Sequence, residues 1–275
     1  MIVLDDECKP NVGVQVATKA ASDKAVIAGV THYCSAVAIG TVDVYNKFGL
    51  PVIVWGAVLP EITYGNDYKE IHRVNGTMIN QNEVNAKFST DQGFKKFAVI
   101  HDTTDYGKGH NKYFSENLAK SGGQILGTFG VTADQQDFNA ELTKIKSLNV
   151  DAIYFGGLTP IGVRIRSQMD KLGIKAQLVG TSGIMSDAFI EGLGPLAEGA
   201  LAFREGAPTG VYRGEEAPRR LHGRRPARDL RAHRRHDGLL VQRLEVLDEV
   251  EGVHARLVPQ DGRQPRAALG GREHA

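Results

Sequence analysis

Short apolar runs alternate with longer segments of helical period through residues 1–203, the pattern of a parallel sheet covered by helices on both faces. The runs predict strands at Ile2–Leu4, Ala25–Val30, Pro51–Trp55, Phe97–His101, Gln124–Phe129, Ala152–Phe155 and Gln177–Val179. Between them the periodicity predicts helices at Asn11–Ala21, Ala36–Phe48, Ile79–Thr90, Lys108–Ser121, Asp137–Leu148, Gly162–Leu172 and a short one from Asp187. In the first helix Val12, Val16 and Ala20 share a face, and in the second Ile39, Val42 and Phe48 do, so each presents an apolar side to a sheet. Asp134 and Asp137 mark one helix start, and Gly173 marks a stop.

Ligands of such folds sit outside the carboxyl ends of the strands. The loops there are His32 to Ser35, Gly56 to Val58, Asp102 to Gly107, Gly156 to Leu158 and Gly180 to Gly183. They are small, polar and rich in glycine, which lets backbone N–H groups approach a small anion without any catalytic side chain. Residues 1–203 contain no dinucleotide fingerprint, phosphate loop, zinc-protease helix or nucleophile elbow, so nothing in them builds an enzyme. His32, His72, His101 and His110 lack metal-ligand spacing, and they read as strand-end or surface residues rather than a metal site. Asp5-Asp6 reads as a turn.

Composition adds a discontinuity. The 275 residues are 41% hydrophobic and 24% charged with a net charge of +1, which describes a globular protein. The longest apolar stretch, Pro51–Pro60, is far short of the roughly 20 residues that cross a bilayer. No signal peptide is read at Met1, which leads into Ile-Val-Leu-Asp-Asp without a basic region. Residues 1–203 carry 15 Lys and 3 Arg, whereas 204–275 carry 15 Arg and no Lys. The tail also lacks Ile, Phe, Ser and Asn, leaving little with which to build a core. A nucleic-acid arm is one reading of Arg219-Arg220, Arg224-Arg225 and Arg234-Arg235, but 11 acidic residues accompany them and Tyr212 is the single aromatic that could stack on a base. The other reading is a GC-rich gene translated out of frame, giving a poorly ordered tail with at most a local helix at Leu239–Val250.

Within residues 1–203, the ordered set Asp5-Asp6-Glu7-Cys8-Lys9-Pro10, His32-Tyr33-Cys34-Ser35, Leu59-Pro60-Glu61-Ile62-Thr63, Val99-Ile100-His101-Asp102 with Tyr106-Gly107-Lys108-Gly109, and Tyr154-Phe155-Gly156-Gly157 is distinctive. It resembles the leucine/isoleucine/valine-binding proteins, the periplasmic receptors of branched-chain amino acid ABC transporters. The resemblance implies an α/β fold with doubly wound parallel sheets in two lobes, of which lobe 1 is incomplete: residues 1–75 form part of lobe 1, 76–203 form lobe 2, and 204–275 are anomalous. Because the likeness starts at the family's second strand and stops near Phe203, it implies a truncated, frameshifted copy that is a candidate non-functional fragment. The intact relative would be a periplasmic, monomeric, non-enzymatic receptor that hands a small ligand to a permease, without cofactor or nucleic acid. A ligand-responsive transcriptional regulator on the same fold is the alternative; it needs a helix-turn-helix, and none precedes Ile2.

Site residues also follow from the resemblance. Ser35 and the backbone at Gly56, Ala57 and Val58 would cradle a ligand carboxylate, Tyr106 matches a cleft tyrosine, and Trp55 adds a flat apolar surface. The family's grip on an ammonium group needs a hydroxyl where Val58 stands and a carboxylate where Ser182 stands, and Leu158 replaces another cleft tyrosine. An ammonium closed into such a cleft without a partner is costly, so these positions point to an organic or aromatic acid rather than an amino acid. Cys8 and Cys34 are the two cysteines and match positions where the family carries a disulfide.

Overall fold

The computed structural model describes residues 1–205 and, beyond them, the strand segments His233–Arg234, Leu240–Arg243, Glu245–Glu249 and Gly252–Arg256. The rest of the Arg-rich tail, and with it the expected lack of order there, lies outside the described residues. Over the body, helices and strands alternate in the order α1 (Pro10–Ser22), β1 (Gly29–Thr31), α2 (Ser35–Phe48), β2 (Val52–Val54), β3 (Ile71–Arg73), α3 (Met78–Asp91), β4 (Lys96–Asp102), α4 (Asp105–Lys120), β5 (Gln124–Val131), α5 (Asn139–Leu148), β6 (Ala152–Gly156), α6 (Thr159–Lys171), β7 (Gln177–Gly180), α7 (Asp187–Leu193) and β8 (Leu201–Phe203).

Within residues 1–205 the strands form two parallel sheets. β1, β2 and β3 lie side by side in chain order, and β5-β4-β6-β7-β8 form the second sheet. Strand β4 shows why the second sheet is wound on both faces. Phe97 and Val99 pack with Phe114 and Leu118 of α4 and Ala86 of α3, while Ala98 and Ile100 pack with Leu142 of α5, Ile161 and Ile165 of α6 and Phe189 of α7. Successive side chains of a strand point to opposite faces, so a continuous apolar run requires two layers of helices. The smaller sheet is backed by α2, through Ala38, Val42 and Tyr45, and by Ala17 of α1. Helices α1 and α2 touch closely because Gly13 has no side chain; a Cβ there would lie 2.3 Å from a Val37 methyl.

Several expectations need correction. Ile2–Leu4 is extended but is not a strand, because a strand needs a neighbour and β1 is paired to β2 on one side alone among the described residues. A hollow of about 700 Å³ opens beside that free edge, between Ile2–Leu4 and Val16, Ala20 and Leu50. Phe48 does not join the buried face of α2 and is 45% exposed; Val37, Ala38, Thr41, Val42 and Tyr45 make that face. Strands β3 and β8 were not expected. Each is three residues long, too short to show alternation. In place of a helix at Leu239–Val250 stand Leu240–Arg243 and Glu245–Glu249, the first antiparallel to β8. The far side of β8 offers unpaired backbone groups, and strand addition there satisfies them.

Phe155 is fully buried between α6 and α7, and its ring fills the space a side chain at Gly157 would need. Phe155→Ala is predicted to destabilise the fold by about 3–5 kcal/mol, and Phe48→Ala to change it by less than about 0.5 kcal/mol, as read from urea unfolding followed by far-UV circular dichroism.

Candidate functional site

The carboxyl ends of both sheets face a common cavity of about 450 Å³. From the smaller sheet it is lined by Ser35, Trp55, Gly56 and Val58, and from the larger by Tyr106, Leu158 and Ser182. Every residue expected from the sequence therefore borders it except Ala57, which is fully buried behind the loop. The sequence reading missed Tyr33, Arg204 and Glu205, which border it as well. Tyr33 lies in the recognised loop motif. The two charged residues open the Arg-rich tail, and no local sequence signal distinguishes them from it.

The wall on the Ser35 side begins at the N-terminus of α2. Cys34 is its N-cap, and its carbonyl accepts from the N–H groups of Val37 and Ala38. Among the described residues the N–H groups of Ser35 and Ala36, and that of Gly56 across the loop, have no acceptor. Free N–H groups at a helix start, together with the helix dipole, favour an anion. The Ser35 oxygen accepts from the N–H of Val58 at 3.2 Å and of Leu59 at 3.3 Å, which aims the hydroxyl hydrogen elsewhere for donation. Because Val58 N–H serves Ser35 and Ala57 N–H serves the His32 carbonyl at 3.1 Å, neither amide is free for a ligand in this arrangement. Gly56 is the part of the expected backbone cradle that remains available. A side chain there would strike Tyr33, with its Cβ 2.9 Å from the ring.

Two devices hold this wall. Cys8 and Cys34 form a disulfide with Cα atoms 5.6 Å apart, tying the turn before α1 to the start of α2. In that turn the Asp5 and Asp6 carboxylates accept from the N–H groups of Glu7 and Cys8, both at 2.8 Å, and Glu7 and Cys8 adopt positive φ. Asp5-Asp6 thus is a turn, as its sequence suggested. The second Asp6 oxygen lies 2.8 Å from Nδ1 of His32, whose Nε2 is 2.8 Å from the Tyr45 hydroxyl. Burial holds the His32 pKa below the usual histidine value despite Asp6. A neutral ring donating to Asp6 and accepting from Tyr45 satisfies both contacts. On the other side of the wall, Arg73 donates to the carbonyls of Ala57 and Leu59, both at 2.6 Å, and Asn75 adds a bond to Ala57 at 3.1 Å.

The opposite wall comes from the larger sheet. Tyr106 sits in the first turn of α4, its hydroxyl 2.8 Å from Thr181 Oγ1, with its phenol pKa pushed up by burial. One turn on, the His110 ring stands edge-on to it with centroids 4.5 Å apart. Nδ1 of His110 meets Asn82 and the Tyr154 hydroxyl, and burial lowers its pKa to about 3. His110 is thus an interior residue rather than a surface one. Among the described residues, no group of three His, Cys, Asp or Glu side chains could hold a metal ion, and no helix is long and apolar enough to cross a membrane.

A doubly wound parallel sheet and a smaller parallel sheet, with an anion-favouring cavity between them, give an α/β fold in two lobes. A family profile described as periplasmic binding protein matches residues 1–216, and the chain belongs to that family. It is 31% identical over 204 residues to the Leu/Ile/Val-binding protein of Citrobacter freundii, covering 73% of this chain and 54% of that one. It is 32% identical over 203 residues to a leucine-, isoleucine-, valine-, threonine- and alanine-binding protein of Pseudomonas aeruginosa, with the same coverages. A leucine-binding protein of Thermotoga maritima superimposes with a TM-score of 0.70 at 26% identity, over 74% of this chain and 57% of that one. The chain spans about half the length of the curated relatives it matches.

The disulfide closes a loop between residues 26 apart, worth about 3.5 kcal/mol in the chain-entropy model. Cys8→Ala/Cys34→Ala should lower the urea unfolding free energy by roughly that amount, and the denatured oxidised wild type should show no reactive thiol. His110 is neutral when folded and has its ordinary value when unfolded, so the unfolded chain binds more protons between pH 3 and 6.5 and stability falls as pH drops through that window. From pH 7 to pH 5 the wild type should lose about 2 kcal/mol more than His110→Gln, measured as the difference in urea midpoints.

Proposed function

We propose that this chain derives from the solute-binding component of an ABC importer of the branched-chain amino acid type. In the intact protein, residues 1–75 would belong to one lobe and 76–203 to the other, closing over a small carboxylate-bearing solute in the periplasm before delivery to a permease. The protein would act as a monomer, by binding and closure rather than by catalysis. The observation that carries this reading is the start of α2, where the Ser35 hydroxyl and the free N–H groups of Ser35 and Ala36 border the cavity. A carboxylate is the anion that relatives named for amino acids would present to such a site. At Val58 and Ser182 the cavity has neither the hydroxyl nor the carboxylate that would hold an α-amino group in the family manner, and those two positions alone favour an organic or aromatic acid. Trp55 and Tyr33, with ring centroids 5.7 Å apart, supply an apolar surface for such a side chain.

Loss of a hydrogen bond to a charged group costs about 1.5–3 kcal/mol. Ser35→Ala should therefore weaken the binding of carboxylate ligands about 10- to 100-fold without altering the far-UV spectrum, as read by isothermal titration calorimetry with a panel of aliphatic amino acids and matched acids. Unchanged affinity in the variant would remove Ser35 from the carboxylate site.

A further inference from the structure

The Cys8–Cys34 bond lies in a cavity wall rather than in the core. Both cysteines border the cavity, and neither belongs to the buried apolar clusters of the described residues. The two ends differ in access. Cys8 is exposed in the turn before α1, whereas Cys34 is half-buried at the start of α2. A thiolate arriving from solvent therefore reaches the Cys8 sulfur more readily, and Cys34 is then the sulfur that leaves.

Charge separates the two ends in the same sense. Cys8 follows Asp5, Asp6 and Glu7 in the chain. Its N–H is already given to Asp6 at 2.8 Å, and the next residue, Lys9, is paired with Glu7 at 2.7 Å. A sulfur that turns negative there meets carboxylates, which disfavour it. Around Cys34 the balance is different. The second Asp6 oxygen is engaged by the neutral His32 ring, and Arg204 and Glu205 border the same cavity with opposite charges. Cys34 is the N-cap of the 14-residue helix α2, and its side chain makes no capping hydrogen bond. The N–H groups of Ser35 and Ala36 beside it have no acceptor among the described residues. A thiolate on Cys34 would place a full negative charge at the positive end of the helix dipole, next to free donors. Exchange is faster when its leaving thiolate is better stabilised, so access and electrostatics select one direction.

We propose that the Cys8–Cys34 bond is a directional site of thiol–disulfide exchange, open to a dithiol reductant and releasing Cys34 as the thiolate. One thiolate of the reductant attacks Sγ of Cys8. The bond from reductant to Cys8 forms, the Cys8–Cys34 bond breaks, and its electron pair stays on Cys34. The second thiol of the reductant, once deprotonated, attacks its own sulfur in the mixed disulfide and displaces Cys8, which takes up a proton from water. The dithiol is oxidised to a disulfide and this chain gains the two electrons. Reduction then unties the turn before α1 from the start of α2 and loosens the wall that carries Ser35. Nothing in these steps depends on which solute the cavity takes.

Reduced glutathione, a monothiol, carries the full-length wild-type chain through the first step, and excess iodoacetamide then stops the reaction. Peptide mass spectrometry reads which cysteine carries glutathione and which is alkylated. In native buffer at pH 7, glutathione on Cys8 with alkylated Cys34 is expected to exceed the reverse product at least about tenfold. Unfolding in concentrated urea should remove most of that preference. Equal labelling of the two cysteines, or glutathione mainly on Cys34, overturns the direction. Absence of any adduct in native buffer, when the urea-unfolded chain exchanges freely, overturns the site and leaves the bond a structural tie alone. A preference that persists unchanged in urea overturns the part given to α2, because the local sequence would then suffice to set it.

Discussion

The guanidinium of Arg73 is the contact on which one wall of the cleft depends. The loop after β2 turns its carbonyls at Ala57 and Leu59 inward, where water does not reach them freely, and two short hydrogen bonds from one planar cation satisfy both. With those carbonyls held, the N–H groups of Val58 and Leu59 face the Ser35 oxygen. The free amides at the start of α2 and the hydroxyl beside them then share one orientation. Burial pulls the Arg73 pKa below its usual value, but an arginine stays charged regardless, and a lysine offers no matching fork. The loop is therefore set by a residue that never touches the cavity itself.

The start of α2 is held from a second direction by the Cys8–Cys34 bond and by the chain of contacts from Asp6 through His32 to Tyr45. These anchors begin outside the helix and end within it. The ligand-facing groups thus have little freedom of their own, and closure of the cleft need not spend binding energy on ordering them. On the facing wall Tyr106 is positioned in the same way, by Thr181 at its hydroxyl and His110 at its ring edge.

How far the sequence revealed this depends on the length of each signal. Helices α2 to α6 and strands β4 to β7 carry periodic patterns long enough to read, and the sequence places them within a few residues. Strand β3 hides because Ile71 is its single buried apolar residue, between Glu70 and His72. Ile2–Leu4 misleads in the opposite sense, since its β-rich composition is real but the chain gives it no partner strand. At the site, Ser35 and Tyr106 are legible because their neighbours in sequence are distinctive, and Gly56 because it opens the glycine-bearing loop after a strand. Arg73 and Glu205 are not, because their contacts join residues far apart in the chain and no local spacing encodes them. Glu205 is further hidden in the sequence because it stands at the head of an Arg-rich segment with no motif of its own.

The open side of β1 has a consequence for the molecule in solution. Its outer backbone N–H and C=O groups face a hollow flanked by Ile27 and Val30, both largely exposed, and an uncovered apolar strand edge is a template for further strand pairing. The three residues of β1 thus serve two places at once: they carry this uncovered edge, and they lead directly into the His32–Ser35 loop that walls the cleft.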